Sequence, residues 1–113
     1  MPHCIIEYAD TVEQLISPQK LITIINQAAA SSALFDENHI KTRAIAYQHF
    51  QVGQSDKAFI HVNAKILSGR TLEQRQHLTQ TILGAIAALE LENVSLTVEV
   101  IDMERASYAK QVT

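Results

Sequence analysis

The sequence runs to 113 residues, with nine Lys and Arg against twelve Asp and Glu and a formal net charge of −3. That length holds one compact domain and leaves no room for a second of ordinary size, so residues 1–113 read as a single unit. With 47% hydrophobic residues, 19% charged, two prolines and three glycines, the chain is neither disordered nor low-complexity, and without a block of Lys or Arg it lacks the basic footprint that a nucleic-acid backbone demands.

The chain-order reading begins at His3. HCIIEY, residues 3 to 8, is short and rich in strand formers, so a strand is expected almost at the terminus. Ser17 and Pro18 then supply an N-cap and a first-turn proline. Leu21, Ile22, Ile25, Ala28 and Ala29 follow at the spacing of one helical face. SSALFDENH is polar and turn-prone and ends that helix. IKTRAIAY alternates, with Lys41, Arg43, Ile45 and Tyr47 on one strand face and Ile40, Thr42, Ala44 and Ala46 on the other. QVGQSD breaks the pattern.

The second half repeats the plan. KAFIHVNAKI sets Phe59, His61, Asn63 and Lys65 against Ile60, Val62, Ala64 and Ile66, the signature of a half-buried strand. After a turn at Ser68 and Gly69, Thr71 with Gln74 matches a capping box, and Leu78, Ile82, Ile86 and Leu89 mark the buried stripe of a long helix. VSLTVEVI closes with Val94, Leu96, Val98 and Val100 facing one way and Ser95, Thr97 and Glu99 the other.

Strand, helix, strand, twice over, predicts an α+β domain. Two tandem βαβ units form a four-stranded sheet with both helices on one face, because each parallel crossover is right-handed. The opposite face is left without a cover, and a symmetric partner is the usual way to bury such a face, so a homo-oligomer is expected. The tail ERASYAKQVT has no periodicity; it is free to cover a neighbouring subunit.

Several functional classes are set aside by what is missing. Cys4 is the only cysteine, so no internal disulfide forms, and it reads as a small buried hydrophobe. The N-terminus has no basic region and carries Glu7 within its apolar run, and no stretch approaches a membrane span. The expected location is the cytoplasm, with no membrane and no nucleic acid as partner. His3, His39, His49, His61 and His77 show no metal-ligand spacing, and His61 reads as a hydrogen-bonded sheet residue. Walker loop, GxGxxG and Gly-x-Ser-x-Gly motifs are all absent.

Three places carry possible chemistry. Pro2 directly follows the initiator methionine. If Met1 is removed, a secondary amine becomes the first atom of a buried strand, and burial near cations disfavours its charged form, leaving a base. The alternative is a proline that simply opens a terminal strand, where its missing N–H costs little. Arg70, in SGRT at the mouth of a helix, suits bidentate capture of a carboxylate, or else pairs with Glu73 or a nearby Asp at the surface. Lys41 and Arg43 share a strand face, where two cations repel unless an anion sits opposite.

Taken together, the MPH start, IKTRA and the segment from Phe59 to Gln76, AFIHVNAKILSGRTLEQRQ in its context, resemble the tautomerase superfamily over nearly the whole chain. Within it the sequence is similar to the 5-carboxymethyl-2-hydroxymuconate isomerase family. The resemblance implies a trimer of double βαβ subunits, no metal or organic cofactor, and a small unsaturated polycarboxylate as substrate. It also implies a keto–enol isomerisation in aromatic-acid degradation, with the freed Pro2 amine moving a proton from the 2-hydroxyl of a dienol to a distant carbon. Residue by residue, Pro2, Arg43 and Arg70 take the family's catalytic positions, and Lys41, Arg43 and Arg70 its carboxylate-binding ones. Lys41 stands where the family motif has arginine, which keeps the charge and loses the planar fork. A smaller enol acid, turned over by a phenylpyruvate-type tautomerase or a hydratase, is therefore a second expectation. A non-catalytic oligomeric ligand-binding domain is a third.

Overall fold

The structure is a computed structural model describing residues 1–113. The main elements are β1 (His3–Ala9), α1 (Pro18–Ser31), β2 (Lys41–Tyr47), β3 (Ala58–Leu67), α2 (Leu72–Ala87) and β4 (Val94–Met103). Short 3-10 turns at Asp10–Gln14, Glu37–His39 and Arg105–Ser107 complete the chain. The first of these has no periodic signal in the sequence, yet it buries Val12 in the core and packs against β3.

The strands form one sheet in the order β2-β1-β3-β4. β1 runs parallel to β2 and β3 parallel to β4, while the two units meet through the antiparallel β1–β3 pair. The expected double βαβ arrangement is therefore present. Its antiparallel seam sets the start of β1 beside the end of β3, with His3 opposite Lys65.

Alternation decides which residues the helices cover. Cys4, Ile6 and Tyr8 of β1 and Ile60, Val62, Ala64 and Ile66 of β3 all point to one face and are buried. Leu21, Ile25, Ala28 and Ala29 of α1 and Leu78, Ile82 and Ile86 of α2 close over them in one continuous cluster. Burying a side chain such as Ile82 contributes about 1.5–3 kcal/mol. Cys4 is fully buried within that cluster, and burial pushes its thiol up to about 11, in keeping with a packing role.

Both helices begin as their sequences require. The Ser17 side chain accepts from the Lys20 amide at 3.2 Å, with Pro18 in the first turn. Thr71 and Gln74 form a reciprocal capping box, at 3.1 and 2.9 Å. At the bend into α2, Gly69 has φ +122°, a conformation that side chains rarely adopt.

The opposite sheet face carries no helix. Its centre is a polar chain. Tyr47 Oη and Asn63 Nδ2 donate to the two oxygens of Glu7, and His61 Nε2 reaches Glu99 at 2.7 Å and Asn63 Oδ1 at 3.0 Å. Thr97 Oγ1 lies 2.6 Å from His61 Nδ1. His61 is thus the hydrogen-bonded sheet residue expected of it. Around Phe59, Tyr47 and Phe50 stack with ring centroids 6.1 and 5.8 Å away, and Ile45 beside them stays 48% exposed.

Candidate active site

The site is the end of the sheet where the chain starts. Pro2 is fully buried, its ring on the covered side of β1 and its carbonyl accepting from the Lys41 amide at 3.0 Å. That bond docks the start of β2 against the start of β1. Across the seam, the Leu67 amide donates to Met1 Sδ at 3.3 Å, so β3 ends here as well.

Each of these strand ends delivers a cation. Lys41 Nζ and the terminal amine both donate to the carbonyl of His39, at 3.4 and 3.2 Å. Arg43 reaches back along the open face to His3, its Nη1 3.1 Å from Nδ1. Arg70, just beyond β3, donates from Nη2 to the Leu34 carbonyl at 2.7 Å and stacks over the Phe35 ring, 5.3 Å from its centroid. The surface pairing of Arg70 with Glu73 or an aspartate, one of the two readings of the sequence, is not formed; a backbone carbonyl and an aromatic face hold the side chain instead. One of its five N–H donors is engaged in that bond.

The tail adds more charge at the same end. Within the subunit its first residues turn back over β1 and the β3–α2 bend. Arg105 Nη2 donates to the Ser68 carbonyl at 3.0 Å, and Tyr108 Oη sits 3.0 Å from His3 Nε2. Lys65 lies opposite His3 across the seam, and Lys110 stands close enough to the terminal amine to disfavour its charge. Six of the nine Lys and Arg, namely Lys41, Arg43, Lys65, Arg70, Arg105 and Lys110, therefore gather around the start of the chain. None has a carboxylate partner. The chain's two salt bridges join His39 to Asp36 and His61 to Glu99.

Burial, with the unpaired positive charge around it, leaves a mark on the titratable groups at this end. The terminal amine falls from 8.0 to about 6, chiefly because burial strips its solvation and further because Lys41 and Lys110 repel its proton. His3 is also lowered, first by burial, then by Arg43, the terminal amine, Lys41 and Lys65. An arrangement of this kind suits anion capture and disfavours the charged form of an amine among it.

Sequence reasoning singled out Pro2, Lys41, Arg43 and Arg70, and the structure brings all four to one end of the sheet. It missed His3, Lys65, Arg105, Tyr108 and Lys110. Strand parity and the β1–β3 register would have found His3 and Lys65; the tail residues carry no local signal. No cavity closes over Pro2 in the single chain. The depression of about 250 Å³ lies at the far end, lined by Thr11, Gln14, Leu15, Asp56, Ala58, Glu92 and Asn93, and has none of this chemistry. No group of three or more His, Cys, Asp or Glu is arranged to hold a metal ion, and no helix is long and apolar enough to cross a membrane.

Known proteins resemble this chain in sequence and in fold. The family model described as 5-carboxymethyl-2-hydroxymuconate isomerase matches residues 2–112. The 5-carboxymethyl-2-hydroxymuconate Delta-isomerase of Escherichia coli is 28% identical over 118 residues, covering 98% of this chain and 94% of that protein. Among solved structures, a 5-carboxymethyl-2-hydroxymuconate delta-isomerase superposes with a TM-score of 0.87 at 18% identity, covering 99% of this chain and 89% of the other. A fused 4-OT symmetric trimer superposes at 0.74 with 16% identity, covering 96% and 90%.

Proposed function

The chain belongs to the 5-carboxymethyl-2-hydroxymuconate isomerase family, and from that membership we propose that it isomerises an unsaturated 2-hydroxy polycarboxylate with the Pro2 amine, freed by loss of Met1, as proton shuttle. The protein is an isomerase of tautomerase fold. The observation that carries the finer reading is the gathering of six unpaired cations around a buried proline at the start of the chain.

The chemistry follows from that setting. A neutral secondary amine at Pro2 accepts the proton of the dienol 2-hydroxyl, and the electron pair moves through the conjugated system. The resulting ammonium returns the proton to the distant carbon, leaving the ketone. Arg43 and Arg70 hold the substrate carboxylates, with Lys41 as a third, non-bidentate contact. The same cations stabilise the negative charge that grows on the dienolate oxygen. While Met1 is present the nitrogen of Pro2 is an amide with no basic pair, so processing is a condition of activity.

We further propose that the uncovered sheet face is buried between copies of the chain in a homotrimer. The exposed Ile45, Tyr47 and Phe50 support it, and so does the fold shared with a symmetric trimer.

The test is an ultraviolet assay of 5-carboxymethyl-2-hydroxymuconate ketonisation by protein whose loss of Met1 is established by intact mass. Rapid turnover is expected. Turnover confined to small enol acids such as phenylpyruvate would favour the reading that Lys41 suggests, a tautomerase of smaller substrates. Inactivity of processed protein on both would overturn the proposal.

A further inference from the structure

Between the candidate site and the tail lies a side chain to which the family resemblance gives no role. His3 is the first residue after Pro2, half-buried on the open face of β1, and each of its ring nitrogens has a partner. Arg43 Nη1 is 3.1 Å from Nδ1, and Tyr108 Oη is 3.0 Å from Nε2. The Tyr108 ring meets the imidazole edge-on, with centroids 6.0 Å apart and planes at 66°.

The chemistry of these partners fixes the ring's state. A guanidinium only donates, so Nδ1 must accept and carries no proton. A neutral ring then bears its proton on Nε2, which donates to the Tyr108 oxygen. Because that oxygen already accepts, the phenolic hydrogen stays free to donate elsewhere. A protonated ring would present an N–H to the N–H of Arg43 and break the contact. Every charged group facing His3 is a cation: the Met1 amine just ahead of β1, Lys41 and Arg43 from β2, and Lys65 from β3. Tyr108 faces it from the tail as a neutral phenol.

We propose that His3 is a positioning residue, a neutral imidazole that holds Arg43 on one nitrogen and Tyr108 on the other, so that the tail and the carboxylate-binding arginine are set as one unit beside Pro2. The inference rests on the reading of Arg43 as a carboxylate-binding group. It adds that the tail acts on substrate binding through His3, in the same subunit, and that acidification uncouples the tail from Arg43.

Two measurements on the processed protein separate this proposal from the reading beneath it. Long-range 1H–15N NMR of the histidine rings, with His3 assigned by its disappearance in His3→Gln, needs no turnover at all. It is expected to show His3 as the Nε2–H tautomer, titrating below 6.5, and to show that tautomer lost in Arg43→Ala. A Nδ1–H ring, or a tautomer indifferent to Arg43, overturns the proposal whatever the enzyme's activity. In kinetics, Tyr108→Phe keeps the ring and removes the accepting oxygen. It should raise KM for the carboxylate substrate about tenfold with kcat within about twofold. His3→Gln, which offers an acceptor and a donor, should retain more of the affinity than His3→Leu. Equal KM values across wild type, Tyr108→Phe and His3→Leu would also overturn it.

Discussion

The two βαβ units present equivalent strand starts at opposite ends of the sheet, and only one has the makings of an active site. Where β1 starts, a buried proline lies among Lys41, Arg43, Lys65, Arg70, Arg105 and Lys110, none of them ion-paired. Where β3 starts, at Ala58, the topology is the same, but the surface depression is lined by Asp56, Glu92 and uncharged side chains. Backbone alone is thus not what makes the first end reactive. The difference lies in which side chains the strand ends and tail deliver, and in a chain terminus that exists at one end and not the other.

The strongest way to break this asymmetry is at Pro2. Pro2→Ala, which replaces the constrained secondary amine, should lower kcat by about 10²–10⁴-fold, the range for loss of a general base, while leaving the fold intact. Circular dichroism beside the ultraviolet assay checks both halves of that statement. Retention of most of the turnover would return Pro2 to the role of a strand-opening residue.

Removing one cation should cost less. Arg70→Ala is expected to lower kcat/KM for a dicarboxylate by roughly 30- to 100-fold, through a higher KM for the carboxylate contact and a lower kcat for the dienolate charge, with Arg70→Lys recovering only part because the planar fork is gone. Asp56→Asn with Glu92→Gln, at the equivalent far end, should leave both constants unchanged. Steady-state kinetics on all three proteins compares the two ends directly.

Lys41→Arg sharpens the comparison instead of breaking it. Restoring a bidentate donor should raise kcat/KM for the polycarboxylate by about 3- to 10-fold. An unchanged value would remove Lys41 from the carboxylate contacts. The smallest effect belongs to a position with no part in the site. Glu90, just past α2, holds φ at 51°, so Glu90→Gly should stabilise the protein by about 0.5–1 kcal/mol in urea denaturation, with activity unaltered.

Much of this architecture is legible in the sequence because it rests on local regularities. Alternation along β3 separates Ile60, Val62, Ala64 and Ile66 from Phe59, His61, Asn63 and Lys65, and the two caps mark both helix starts. The candidate site is legible only in part. Arg70 has Glu73 as its nearest suitor in sequence, yet its partners are a carbonyl and a ring more than thirty positions away, and carbonyls do not advertise themselves in a sequence. The His3–Tyr108 contact spans 105 positions and rests on a tail with no periodicity, so no local pattern encodes it. The 3-10 turn after β1 is hidden for a different reason: five residues with one buried valine are too few to show a period.

The central claim is that the amine of Pro2 is kept neutral by its surroundings. With only Pro2 and Pro18 in the chain, 15N-proline labelling of processed protein gives two signals, and only the terminal one is able to titrate. The account predicts a pKa well below that of an ordinary N-terminal proline, since burial and the nearby cations oppose protonation there as they do at the amine of Met1. The acid limb of kcat/KM should follow the same titration, activity rising with pH as the proton leaves. A Pro2 amine that titrates at its ordinary value, with an acid limb that does not track it, would contradict the account.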